Sequence, residues 1–160
     1  MKRYFDSIKI NRKAGLGTHL FLDVFPGMHR LKILKEIFGR STEKTLKSLE
    51  ISIKPYPGYA WIDVKKGRIN LSWPYLKTGS DEYLCLDMVH ELVHIKQLRK
   101  GMDLFDKRYS YVDRPTEIEA YKLVAEEAKK LGMDRKELEK YIIVPWISRT
   151  EFKRLMDRID

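Results

Sequence analysis

Leu49, Ile51 and Ile53 alternate with Glu50, Ser52 and Lys54, the two-residue period of a strand that turns one face inward. The stretch "YAWIDVKKGRINLSW" (59–73) holds two β-rich runs around Lys65-Lys66-Gly67 and reads as a hairpin closed by Pro74. "HLFLDVF" (19–25) is also β-prone and ends at Pro26-Gly27. Elsewhere the period is helical. Leu31, Leu34, Ile37 and Phe38 predict a helix that stops at Gly39. Ser80 followed by Asp81 and Glu82 predicts a helix start, with acids where the macrodipole favours them and Gly101 as the stop. "DRPTEIEAYKLVAEEAKKLG" predicts a second long helix, with Pro115 in its first turn and Gly132 past its end. A third helix is expected from Asp134 and a last one from about Ser148, separated by Pro145. Residues 1–17 are basic, contain "AGLGT", and read as a strand or arm followed by a loop.

Composition narrows the class. The 160 residues, 43% of them hydrophobic, suit one folded domain over 1–160 and exclude a disordered chain. One cysteine, Cys85, excludes an intramolecular disulfide framework and fits a reducing compartment. No apolar run reaches the length of a membrane span, and the N-terminus lacks the apolar region of a secretory signal. A soluble cytoplasmic protein is therefore expected. The net charge of +9 raises the question of nucleic acid. Both signs are interspersed, however, and Asn11, Asn70 and Gln97 are the only side-chain amides beside many Lys, Arg and Glu. That bias reads as a thermophile-like solvated surface, with nucleic-acid contact the less favoured account.

The chemistry lies in "LDMVHELVHIKQ" (86–97). On a helix, positions four apart lie one above the other, so His90 and His94 present two imidazoles to one point, as a chelated zinc requires. Glu91 is rotated aside, within reach of a water on that metal, which is the placement of a general base. Leu84, Met88, Leu92, Ile95 and Cys85 fall on one arc of the helix, while Tyr83, Asp87 and Gln97 share the side of the histidines. A third ligand must come from elsewhere, and "PTEIEAY" offers Glu117 or Glu119. Glu117 shares a stripe with Ala120, Tyr121, Val124, Ala128 and Leu131, where a carboxylate is costly unless bound. Glu119 falls among Lys122, Glu126 and Lys130, where it needs no special account. Glu117 is the predicted ligand.

"HELVH" on one helix and "EIEAY" on a second resemble the gluzincin metallopeptidases, and the short outline with a hairpin before the metal helix is similar to the minigluzincins. The likeness spans roughly residues 48–131, leaving 1–45 as an N-terminal extension and 134–160 as a C-terminal helical segment. It implies an α+β, zincin-like fold: a short mixed or antiparallel sheet on the HExxH helix and a glutamate helix, with extra C-terminal helices. It also implies zinc-dependent hydrolysis of a peptide or unfolded protein, the substrate lying beside an edge strand. His90, His94 and Glu117 are then the metal ligands and Glu91 the base that moves the proton to the leaving amine. One departure stands out. Relatives often carry an acid four positions after the ligand glutamate, where this chain has Tyr121; Asp87 is either its substitute or a surface charge.

Several features stay open at this level. An oxyanion stabiliser is expected, and Tyr109, Tyr111, Arg114 and Tyr121 are near the motif without spacing choosing among them. "RINLSW" is either a rim strand that receives peptide by β-augmentation or an ordinary internal strand. Trp61, Trp73 and Trp146 are expected in the core, as is Cys85, while His19 and His29 are expected to be structural or exposed. "YIIVPWISRTEFKRLMDRID" is either a cover that keeps a peptidase latent or a final packing helix. Rival functions are a DNA-associated, SprT/spartan-like protease with the basic N-terminus as an arm, and a non-catalytic zinc-binding regulatory or interaction module.

Overall fold

A computed structural model describes residues 8–160. Of the basic stretch read as a strand or arm, residues 1–7 lie outside the described residues, and 8–16 run as irregular chain with a turn into the first strand. The architecture is α+β, and among the described residues four strands form one mixed sheet. They are β1 (Gly17–Leu20), β2 (Glu50–Lys54), β3 (Ala60–Asp63) and β4 (Arg68–Ser72), in the spatial order β1-β2-β4-β3. β2 and β4 run parallel, with Ile51 opposite Ile69, and both outer pairs are antiparallel. The predicted hairpin is β3–β4, with Trp61 opposite Asn70.

This order settles the rim-strand question. "RINLSW" belongs to β4, which is paired on both sides and buried along its length, so it cannot accept a peptide strand. The free edge on that side is β3. The β-prone stretch 19–25 also divides. Its strand ends at Leu20, and Phe21–Val24 closes into a helical turn, α1. Phe21, Val24 and Phe25 are all fully buried at i, i+3, i+4 spacing, so core contact overrides β-propensity there.

The helices follow largely as read. α2 (Lys32–Phe38) ends at Gly39, whose φ of 60° suits glycine. α3 (Thr42–Ser48) and the short α4 (Trp73–Thr78) were not expected; Pro74 opens α4 as well as closing the hairpin, and the Ser72 hydroxyl accepts the Tyr75 N–H. α5 (Asp81–Arg99) starts at Ser80, whose hydroxyl accepts the Tyr83 N–H at 3.2 Å. α6 (Pro115–Lys130) packs along it, and β3 lies across α5 from the sheet side. α7 (Arg135–Ile142) and α8 (Arg149–Ile159) both begin with capping boxes, at Asp134 and Ser148.

α5 is enclosed on both sides. Leu84, Cys85, Met88, Leu92 and Ile95 are buried as the apolar arc predicts, and so are His90, His94 and Gln97 opposite. α8 buries Leu155, Met156 and Ile159 against α6 and the 3-10 turn Tyr111–Asp113, where Asp113 pairs with Arg154 at 2.9 Å and Arg158 at 2.8 Å. The tryptophans depart from expectation. Trp61, Trp73 and Trp146 are 37%, 40% and 55% exposed and are not core residues. On β3 the reason is the pleat: Ile62 takes the inward position and Trp61 the outward one. Among the described residues no helix is long and apolar enough to cross a membrane.

Candidate metal centre

Two turns of α5 and the first turn of α6 bring three ligand atoms together. The Nε2 atoms of His90 and His94 stand 3.0 Å apart, with their rings nearly perpendicular at 81°. Glu117 Oε2 lies 3.2 Å from the first and 3.4 Å from the second. Ligands of a tetrahedral site with bonds of about 2.0–2.1 Å are roughly 3.3 Å from one another. The triangle therefore has the size of three corners of such a site. Glu117 Oε2 is buried and accepts no aligned hydrogen bond, which leaves it free to bind an ion. His90, His94 and Glu117 are all buried and lie close enough together to hold a metal ion. Glu119, the rejected candidate, is not among them.

Gln97 determines how His94 presents itself. The Gln97 amide nitrogen donates to the Thr116 carbonyl at 3.0 Å and to Glu119 Oε2 at 2.7 Å. Its Oε1 is thereby turned to His94 Nδ1, 2.7 Å away. An amide oxygen only accepts, so Nδ1 carries a proton, and in the neutral ring the Nε2 lone pair faces His90 and Glu117. Glu119 is thus more than a solvated charge: it holds Gln97 on one oxygen and Lys96 on the other. The signal for this was Gln97 three residues after His94, the chain's single glutamine. His90 is held differently, its ring packed edge-on against Tyr121 at 4.6 Å between centroids.

Without a metal the trio forms a charge pair. Burial works against the ionised carboxyl of Glu117, but the two imidazoles outweigh it and hold the group well below the carboxylate range. Burial likewise disfavours a charged His94, yet the contact with Glu117 raises it to about 9. Glu91 is buried one position after His90, and burial pushes its carboxyl upward. Asp87 is no surface charge. Burial raises its carboxyl too, and its oxygens accept from Tyr75 and, at 2.6 Å, from Tyr141. Both of its oxygens are thus taken by tyrosine hydroxyls.

Two cavities, of about 140 and 390 Å³, open beside the trio and share His90, Glu91, Tyr59, Tyr111 and Trp146. The smaller reaches Tyr75, Asp87, Tyr121 and Tyr141; the larger reaches Trp61, Phe105, Arg114 and Glu117. Trp146 stands between them, edge-on to Tyr59 and to Tyr111 at 6.1 Å each. Of the four residues near the motif, Tyr111, Arg114 and Tyr121 face the cleft, with the Tyr111 and Tyr121 hydroxyls 3.0 Å apart; Tyr109 is exposed and lines neither cavity. Residues from α8 line neither cavity. No family model matches the chain, nor does any curated protein or solved structure, and the metal site stands on its own geometry.

Proposed function

We propose that the chain is a zinc-dependent peptidase with His90, His94 and Glu117 as ligands and Glu91 as general base. The convergence of two imidazoles and one carboxylate at tetrahedral spacing, with a second carboxylate lining the same cavity, carries this reading. A bound zinc would supply the Lewis acidity that polarises a carbonyl and acidifies water. Glu91 accepts the proton of the attacking water and delivers it to the leaving amine. The Tyr111–Tyr121 hydroxyl pair lines the same cavity as Glu91 and leaves one O–H free to donate to the developing oxyanion. The free edge of β3 borders both cavities through Ala60, so an extended peptide can add to the sheet there and reach Glu91.

Metal content of untagged protein is the deciding measurement. Zinc near one per chain, lost in Glu117→Ala and retained in Glu119→Ala, is expected. Cleavage of unfolded protein should then vanish in Glu91→Gln while the zinc stays. No zinc in wild type after it is offered in excess would end the reading.

Trp146 favours a latent form of the same enzyme. Its indole spans the cleft from Tyr59 at the mouth of β3 to Tyr111 below, where a peptide would lie. The 143–147 segment rather than α8 is the cover in this account.

A further inference from the structure

We infer that Arg114 is an anion anchor of the cleft, binding a carboxylate of the substrate beside the metal site. The identification of the ligand as a peptide rests on the peptidase reading; the anion preference comes from Arg114 itself.

Arg114 immediately precedes α6, three residues before Glu117, and lines the larger cavity with Glu117, His94 and Phe105. Its guanidinium lies over two aromatic faces, 6.0 Å from the Phe105 centroid and 5.9 Å from that of Tyr111. Cation–π contact of this kind holds the group at the cavity wall and leaves N–H groups to bind a ligand. Arg114 Nε is buried and has no acceptor. The residue is half-buried, so the guanidinium keeps some contact with solvent while one N–H lacks a partner, and a ligand carboxylate would supply one.

Among the described residues no acid serves that purpose. Asp106 is held by the Nε and Nη2 of the Arg108 guanidinium, at 2.7–3.1 Å. Asp113 is taken by Arg154, Arg158 and the Ser110 hydroxyl. Glu117 faces the two imidazoles. These three acids are thus committed to other partners, while Arg114, which lines the 390 Å³ cavity, makes no ion pair with them. A planar fork of N–H groups matches the two oxygens of a carboxylate. On a peptide that group is either the chain terminus or an Asp or Glu side chain, and the chemistry of recognition is the same.

The experiment separates these sources and does not depend on cleavage. Zinc-loaded full-length protein, in a Glu91→Gln background to prevent turnover, is titrated with N-acetylated alanine-rich pentapeptides and followed by NMR of the arginine Nε–H signals. One peptide ends in a free carboxylate, one in a carboxamide, and one is a carboxamide with an interior Glu. Either carboxylate peptide should bind at least tenfold more tightly than the neutral one and move the Arg114 Nε–H signal; which of them does so identifies the source. Arg114→Gln should erase the preference and Arg114→Lys should keep part of it, both retaining zinc and an unchanged melting profile. Equal binding of all three peptides overturns the inference, as does no binding up to millimolar concentration or a preference that survives Arg114→Gln. Absence of peptide cleavage by the wild type would count against the peptidase reading alone, because the carboxylate preference is read from binding.

Discussion

The Oε1 of Gln97 accepts the Nδ1–H of His94 at 2.7 Å, and the Gln97 amide nitrogen carries that link on to Glu119 on α6. Partners of this kind set the tautomer of a ligating histidine, and their loss typically weakens metal affinity about 10–100-fold. Gln97→Leu should therefore bind zinc 10–100 times more weakly than wild type, against a loss of the whole site in Glu117→Ala. Glu119→Ala should fall between wild type and Gln97→Leu, since the Thr116 carbonyl still holds the amide. Competition with a chromophoric chelator measures all three. Unchanged affinity in Gln97→Leu would mean that His94 is oriented by its ring contacts alone.

Asp87 accepts hydroxyls from Tyr75 on α4 and Tyr141 on α7, tying two peripheral helices to the metal helix. Asp87→Ala leaves both hydroxyls without their acceptor, and an unmatched buried polar group costs about 1–3 kcal/mol. The variant should lose on the order of 2–4 kcal/mol in denaturant unfolding of the metal-free chain, and Asp87→Asn, which keeps an acceptor, clearly less. Zinc stoichiometry should hold in both. Loss of zinc in Asp87→Asn would show that this carboxylate acts on His90 directly.

Local rules made the candidate metal site readable. The histidine pair needs nothing but the helical period, and Glu117 stood out because a lone carboxylate shared a stripe with Ala120, Val124 and Ala128, all of them buried. Gln97 and Glu119 did not stand out. Each looks unremarkable on its own helical wheel, and the bond between them joins residues 22 apart. The sheet shows the same limit. The β3–β4 hairpin follows from its turn, but which arm pairs with β2 depends on a parallel contact with no local signature, and so β4 rather than β3 was a candidate edge. Trp61 and Trp146 were misplaced because hydrophobicity alone does not distinguish a core from the wall of a cleft, and Trp73 because an exposed indole can serve as a seat for Lys77.

The pH response should differ between the metal-free and loaded chains. In the metal-free protein His94 is raised from 6.5 to about 9 by Glu117, despite burial. The folded state therefore holds a proton that the unfolded chain releases. Its stabilising effect is complete below 6.5 and is lost as the pH rises through about 9. Glu117 has the opposite sign: its depressed pKa stabilises above the ordinary value of 4.5 and that contribution is lost on acidification. A metal requires both imidazoles neutral, so loading is favoured as the pH rises. The gap in Tm between zinc-loaded and chelator-treated protein should widen steadily from pH 6.5 to 8.5, by differential scanning calorimetry. A constant gap would mean that His94 carries no proton in the metal-free fold.

Trp146 decides between an open and a covered cleft. Removing α8 is the wrong test, because Leu155, Met156 and Ile159 are core residues and truncation would expose their contacts with α6. Trp146→Ala leaves that packing in place and removes an indole that is 55% exposed, so the cost in stability should be small, about 1 kcal/mol or less. Both aromatic neighbours, Tyr59 and Tyr111, are then uncovered on the route from β3 to Glu91. If the segment is a cover, the variant should cleave unfolded protein several-fold faster than wild type, chiefly through a lower KM, with zinc content unchanged. Trp146→Phe should lie between the two, since a smaller ring still reaches one of the tyrosines. Equal or slower turnover in Trp146→Ala would instead place the indole on the substrate's side, as a platform for a side chain. A rise in KM would identify that role.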